Sequence, residues 1–185
     1  MCGITGIIDP RITDKAAIKQ MTDSILHRGP DDDGYFVDEY VALGMRRLSI
    51  IDLSKGQQPI SSTDGRYLIF FNGEIYNYKE LRKELESAGS ESDVYHFQTD
   101  SDTEVILAGF LKWGEGMLGR LRGMFTFAIY DTVDKKIFLA RDFFGIKPLY
   151  YWSEGSRGEH SRENIIAFSS EIKSFLALPG FKPEV

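Results

Sequence analysis

The first group in this sequence with chemistry to offer is a thiol on its second residue. Cys2 is the chain's one cysteine and follows Met1 directly. Its side chain is small enough to permit removal of Met1, which would leave a thiol and a free α-amino group on one residue. Their reference pKa values, about 8.5 and about 7.7–8.0, both lie near neutrality. Nucleophile and general base would then sit together, as they do in enzymes that pair a threonine with its own amine. The competing reading makes Cys2 a small apolar residue opening a buried strand, because Gly3, Ile4, Ile7 and Ile8 follow at once.

A thiolate attacking an amide needs donors for the oxyanion and groups that hold the substrate. Asn72 brings a side-chain N–H, and Gly73 lets a backbone N–H approach closely; an Asn-Gly pair also reads as a plain turn. Arg46 and Arg47 interrupt an apolar run. Pointing inward, an arginine must meet an anion such as a carboxylate; at a sheet edge both would face water. Asp102 either binds an ammonium group or is a helix-start carboxylate near the positive end of the dipole, with Ser101 as the cap. His27, His96 and His160 lack ligand spacing, so no metal site is expected. Gly3 and Gly6 build no phosphate loop, since no Gly-Lys-Ser/Thr follows. Asp31, Asp32 and Asp33 read as solvated carboxylates in a turn.

These groups need elements to position them. Gly3–Ile8 reads as a buried strand, then a helix capped by Thr13 or Asp14 and starting at Lys15, with Ile18, Met21 and Ile25 inward. Tyr35–Val37 and Val41–Leu48 form a hairpin, Asp52–Pro59 a long loop, and Tyr67–Asn72 a strand that stops at Gly73. Asn77 with Glu80 reads as an Asn-led capping box for a helix burying Leu81, Leu85 and Ala88. Ser87–Asp93 reads as a loop. The next helix opens at Ser101–Glu104, buries Ile106, Phe110 and Trp113, and ends at Gly114 and Gly116. Four strands follow, Met124–Asp131, Lys136–Arg141, Leu149–Trp152 and Asn164–Ser170, with a mobile hairpin tip over Ser153–Glu163. Ile172, Phe175 and Leu176 suggest a closing helix broken at Pro179-Gly180.

Leu68–Phe71 and Phe125–Tyr130 are apolar on both alternating faces, apart from Thr126, so both sides of these strands must be covered. The helices come in a group and not between each pair of strands, which disfavours a doubly wound parallel sheet. The arrangement satisfying both is α+β: a four-layer αββα sandwich of two antiparallel sheets flanked by helices, as one domain over 1–185. A net charge of −6 and a pI near 5.1 argue against nucleic acid as a partner. The lack of an apolar stretch of ~20 residues argues against a membrane span. One cysteine and no signal-peptide pattern suit a reducing, cytoplasmic setting.

Taken jointly, the motifs form a known pattern. Met1-Cys2-Gly3-Ile4, His27-Arg28-Gly29-Pro30-Asp31, Arg47-Leu48-Ser49-Ile50-Ile51-Asp52 and Phe71-Asn72-Gly73-Glu74-Ile75-Tyr76-Asn77 occur in that order. Thr99-Asp100-Ser101-Asp102-Thr103-Glu104, Arg141-Asp142, Gly145-Ile146-Lys147-Pro148-Leu149-Tyr150-Tyr151 and Ser169-Ser170-Glu171-Ile172 follow. The chain resembles the glutaminase domain of the class II (N-terminal nucleophile) glutamine amidotransferases. Within them it is most similar to the glutamine-hydrolysing asparagine synthetase branch, because the glucosamine-6-phosphate synthase branch carries an Arg-Trp-Ala-Thr-His type sequence where Arg47–Asp52 stands.

The resemblance implies the αββα fold and the hydrolysis of L-glutamine to glutamate and ammonia through a Cys2 γ-glutamyl thioester. It implies Cys2 as nucleophile with its own amine as base, and Asn72 with the Gly73 N–H as oxyanion hole. Arg47 would hold the α-carboxylate, Asp102 with Glu74 the α-ammonium, and the backbone of Arg47, Leu48, Ser49, Ile50 and Ile51 would line the pocket. No cofactor is implied in this domain; ATP and Mg2+ would serve a C-terminal synthetase domain that accepts the ammonia. Its Ser-Gly-Gly-x-Asp-Ser loop does not occur in this sequence, as expected of an excised domain. A homodimer is a further expectation. The alternatives are a non-catalytic domain of the same fold and an N-terminal-cysteine hydrolase of another amide.

Overall fold

In a computed structural model the apolar runs pair into two sheets, and every strand pairing is antiparallel. The described residues are 1–9, 15–48, 56–87, 94–154, 165–178 and 181–183. In chain order the strands are β1 (Gly3–Ile8), β2 (Asp32–Val37), β3 (Val41–Arg47), β4 (Ile60–Ser61), β5 (Tyr67–Ile75), β6 (Gly123–Asp131), β7 (Lys136–Arg141), β8 (Tyr150–Glu154) and β9 (Ile165–Ser169). The α-helices are α1 (Lys15–Asp23), α2 (Tyr78–Glu86) and α3 (Asp102–Trp113), with 3-10 turns at Leu26–Arg28, Gly114–Gly119 and Ile172–Ala177. The chain divides into two units, Met1–Leu48 with Lys147–Val185, and Ser49–Ile146, each holding one sheet.

The first unit's sheet runs β2-β3-β1-β9-β8. Successive strand side chains point to opposite faces. One face carries Ile7, Ala42 and Ala167, and packs on Ile18 and Met21 of α1 and Phe175 of the last 3-10 turn. Thr5 joins this face, 2.8 Å from Thr22 of α1 through their hydroxyls. The other face, even positions of β1 and odd positions of β3, carries Ile4, Leu43 and Met45, all fully buried. Past the first 3-10 turn, Asp31 N–H donates to Arg47 O at 3.2 Å. Gly29 makes this crossing of the end of β3 possible, since a Cβ there would lie 2.5 Å from Arg46 and Arg47 backbone atoms.

The second unit's sheet runs β4-β5-β6-β7. β5 and β6 pair over their full length, from Tyr67↔Asp131 to Ile75↔Gly123. Ile69, Phe71, Phe125, Phe127 and Ile129 pack with Leu81 and Leu85 of α2 and Val105–Ala108 of α3. Leu68, Phe70, Ala128 and Tyr130 on the opposite face are buried too, as their two-sided apolar pattern predicts. α3 is buried from Asp102 through Gly109. Ser101 caps it, accepting the Thr103 N–H at 3.2 Å, and Gly114 ends it at φ 57, a left-handed turn suited to glycine.

Several sequence expectations need correction. β5 does not stop at Gly73 but pairs on to Ile75, because a bare Cα accommodates Met124 O, which would lie 2.3 Å from a Cβ. Asn77 makes no cap bond; its amide donates to Arg120 O and accepts from Arg122 N–H, both at 2.9 Å. Asp32 and Asp33 are not in a turn, since β2 begins at Asp32, opposite Arg47, but Asp33 stays exposed and Asp32 partly so. The closing helix is a 3-10 turn in which Phe175 is buried while Ile172 and Leu176 are exposed. Thr13 and Asp14, the first half of Asp52–Pro59, Ala88, His160, most of Ser153–Glu163 and Pro179-Gly180 lie outside the described residues.

Gly29→Ala should destabilise the protein by about 1–3 kcal/mol through overpacking against backbone. Gly116→Ala, which would meet nothing within 4 Å, should stay within ~0.5 kcal/mol of wild type. Urea unfolding of both variants checks the pair.

Candidate active site

In the first unit Cys2 precedes β1 and is half-buried. Its Sγ accepts the Leu48 N–H at 3.3 Å and lies 3.6 Å from Leu48 O. The residue is held from behind. Arg28 Nε donates to Cys2 O at 2.9 Å, and Arg28 Nη1 lies 3.1 Å from Glu171. Burial pushes the Glu171 carboxyl up, but hydrogen bonds from Arg28, His27 and Lys173 outweigh it and hold the group below its ordinary value. Ser170 exchanges two bonds with Ile4, accepting its N–H at 3.0 Å and donating its own N–H to Ile4 O at 2.9 Å. Gly3 leaves room for this clamp, since a Cβ there would lie 2.7 Å from Ile25 and 3.0 Å from Arg28.

The two arginines separate by parity. Arg46 lies opposite Gly3, on the face of α1, and pairs with Asp23 and, at 3.5 Å, with Asp33. Lys19 and Arg46 outweigh burial and hold Asp23 below the ordinary carboxylate value. Arg47, one step on, takes the face of Met45 and is buried. Neither arginine is at a sheet edge, because β3 lies between β2 and β1.

In the second unit the site follows the β4-side edge of β5. β4 pairs only with Leu68 and Ile69 and reaches no farther along β5. Beyond it, side chains take the odd-numbered N–H groups: Phe71 donates to Gln58 Oε1 at 2.6 Å, and Ile75 donates to Asp102 Oδ2 at 3.0 Å. Backbone N–H directions alternate along a strand, so the Gly73 N–H, between these two, points out of the same edge. The even-numbered Tyr76 N–H points the other way, to Arg122 O at 2.7 Å. Asn72 lies opposite Thr126, on the face of Phe70 and away from α2 and α3. It is buried, and its Nδ2 finds no hydrogen-bond partner among the described residues. An unsatisfied buried amide donor is costly and calls for an explanation, a catalytic role being one; Arg28 Nη2, Tyr35 Oη and Arg46 Nε share that state.

Asp102 is itself unusual. Burial pushes its carboxyl up to about 6; the Ile75 and Thr103 N–H groups oppose that, and the charge of Glu74 adds to it. Its neighbourhood is stiffened by Glu104, buried, whose carboxylate accepts the N–H groups of Gln98 and Thr99 at 2.8 and 2.7 Å and the Thr99 hydroxyl at 2.6 Å.

Of the residues singled out in sequence, Cys2, Arg47 and Leu48 gather at one end of the first unit's sheet. Asn72, Gly73, Glu74 and Asp102 gather on one stretch of the second. Ser49, Ile50 and Ile51 lie outside the described residues. Sequence reading missed Gln58 and assigned no site role to Arg28 or Glu104, although both stand inside recognised motifs. Among the described residues no three His, Cys, Asp or Glu side chains cluster as metal ligands, and no helix is long and apolar enough to cross a membrane.

Comparison with known proteins places these residues in a wider set. The profile of the glutamine amidotransferase domain family matches residues 1–185. Asparagine synthetase [glutamine-hydrolyzing] 1 of Bacillus subtilis is 49% identical over 181 residues, 95% of this chain and 27% of that protein. Asparagine synthetase [glutamine-hydrolyzing] 3 of the same organism is 39% identical, over 100% of this chain and 29% of that protein. The chain thus spans under a third of the length of these relatives. Among solved structures, glutamine phosphoribosylpyrophosphate amidotransferase of Bacillus subtilis superposes with a TM-score of 0.72 at 22% identity, over 95% of this chain and 43% of that one. That likeness bears on the fold alone. It agrees with the α+β reading of two antiparallel sheets flanked by helices.

The raised pKa of Asp102 has a stability consequence. A carboxyl pushed up to about 6 leaves the folded protein favoured below pH ~4, and that advantage is lost as pH rises through 6. Asp102→Asn should remove this slope. Between pH 4 and 7 the variant should gain stability relative to wild type by up to roughly 3 kcal/mol, with no further change above. Denaturant unfolding at several pH values measures it.

Proposed function

The chain belongs to the glutamine amidotransferase domain family, and on that premise we propose that it hydrolyses L-glutamine to glutamate and ammonia through a Cys2 γ-glutamyl thioester. The observation that carries the reading is the pair of donors at Asn72-Gly73: a buried side-chain amide whose Nδ2 has no partner among the described residues, beside a backbone N–H aimed out of the sheet edge. Two such donors suit an oxyanion, which places them before the charge develops.

In the proposed reaction the Cys2 thiol gives its proton to its own α-amino group, and sulfur attacks the side-chain amide carbon. The carbonyl oxygen becomes an oxyanion, accepting from Asn72 Nδ2 and Gly73 N–H. The ammonium of Cys2 then protonates the departing nitrogen, and the C–N bond breaks to give ammonia and a thioester. Water, deprotonated by the same amine, cleaves the thioester to glutamate and restores the thiol. Arg47 is the proposed partner of the substrate α-carboxylate, a role suited to a buried guanidinium. Asp102, with Glu74, is the proposed partner of the α-ammonium, whose charge would draw Asp102 back to its ionised form. The backbone of Arg47 and Leu48 would line the pocket. A retained Met1 would turn the Cys2 nitrogen into an amide with no basic lone pair, so the active species begins at Cys2.

The relatives' names and lengths support a second part of the proposal. The ammonia passes to an asparagine synthetase-type domain outside this sequence, where ATP and Mg2+ are used; this domain requires no cofactor. A cytoplasmic setting is supported by the single cysteine.

The Met1-free protein should release glutamate from millimolar glutamine, and Cys2→Ala should abolish release. If the two behave alike, the proposal fails. Asn72→Ala should lower kcat by about 10²–10³ with a smaller change in KM. Arg47→Ala should raise KM for glutamine while leaving turnover of a simple amide unchanged; equal effects on both would point to a hydrolase of another amide. Because Asp102 must be ionised to hold ammonium, KM should rise as pH falls below about 6.

A further inference from the structure

We infer that Gln58 is a positioning residue for the oxyanion donors: its carboxamide replaces a strand along β5 and ties that strand to the start of α3. The inference rests on the proposed glutaminase reading and adds a residue that the recognised motifs omit. The register Ile60↔Ile69 and Ser61↔Leu68, continued backwards, sets Gln58 opposite Phe71. The backbone pairing ends at Ile60 and does not reach that position. The Gln58 side chain takes over. Oε1 accepts the Phe71 N–H at 2.6 Å, and Nε2 donates to Phe71 O at 3.2 Å. One amide thus satisfies both backbone groups of the residue before Asn72. The same Nε2 lies 3.4 Å from Thr103 Oγ1, on the residue after Asp102.

This substitution of side chain for strand has a consequence at the next position along the edge. A strand running past Phe71 would have drawn the Gly73 N–H into its ladder. A carboxamide stops at Phe71, leaving the Gly73 N–H directed outward and β5 still braced. Asn72, held between Phe71 and Gly73, takes its orientation from the same brace. Without Gln58, Phe71 loses both partners, and the donor pair is held from one side only, by β6.

Kinetics of the Met1-free protein and of Gln58→Leu test this, with melting temperatures measured in parallel. Loss of the brace should lower kcat for glutamine about tenfold or more, while KM changes less than ~3-fold, because misplaced oxyanion donors weaken the transition state more than the ground state. In an Asn72→Ala background the further kcat loss from Gln58→Leu should be clearly smaller than in wild type, since one of the two donors it positions is already gone. Wild-type kcat in Gln58→Leu, or a full tenfold loss persisting in the Asn72→Ala background, overturns the inference. Should Gln58→Leu fail to fold, Gln58→Glu decides: it keeps the acceptor for Phe71 N–H but loses both donor contacts. It should show the same fall in kcat, and an unchanged kcat there overturns the inference as well. If the Met1-free wild type releases no glutamate, the proposed function and this inference fall together; if it turns over and the Gln58 variants match it, only the inference falls.

Discussion

The second unit depends on how β5 satisfies its backbone. The strand runs nine residues, yet β4 accompanies it for two. Buried N–H groups must find acceptors, and past β4 they find side chains: Gln58 at Phe71 and Asp102 at Ile75. That arrangement draws the first turn of α3 against the sheet, and with it a carboxylate taken out of water. Among the described residues the same arrangement leaves one donor, at Gly73, between two that are taken. A full-length neighbouring strand would have satisfied all of them and left a sheet with nothing to offer a substrate.

Strand alternation then distributes the charged and polar groups. Adjacent residues point oppositely, so Arg46 meets the helix face and Asp23, while Arg47 takes the other face. Asn72 and Gly73 use the same geometry differently: the side chain stands perpendicular to the sheet, and the next N–H lies in its plane. Two donors of independent origin therefore come from one dipeptide. Glycines serve this arrangement by close approach. Gly3 admits the Arg28 clamp on Cys2, and Gly73 admits β6 where a larger residue would push it away.

Where local reading of the sequence failed, a longer-range partner had won. Asn-Gly at 72–73 has the chemistry of a turn, but nine residues of pairing with β6 hold it extended. Asn77 has the chemistry of a cap, but the backbone of Arg120 and Arg122 uses both ends of its amide. The aspartates after Pro30 have the chemistry of a turn, but β2 takes up Asp32 and Asp33 and sets Asp33 beside Arg46. By contrast Ser101 and Gly114 behave as their local chemistry demands, because a cap and a left-handed stop need only the residues next to them.

The sequence by itself determined the elements and the candidate residues. Runs apolar on both alternating faces require strands covered on both sides, and Cys2, Arg47, Asn72-Gly73 and Asp102 are visible because thiol, guanidinium, amide and carboxylate occur in a recognisable order. Tertiary structure alone decided which arginine serves structure and which is turned to the other face. It also decided that Asp102 lies in an environment costly enough to raise its pKa, and that Gln58, anonymous in a loop, braces the strand beside Asn72. These are properties of register and burial. They arise from residues distant in the chain, such as Gln58 and Phe71 or Ile75 and Asp102, whose pairing no local pattern records.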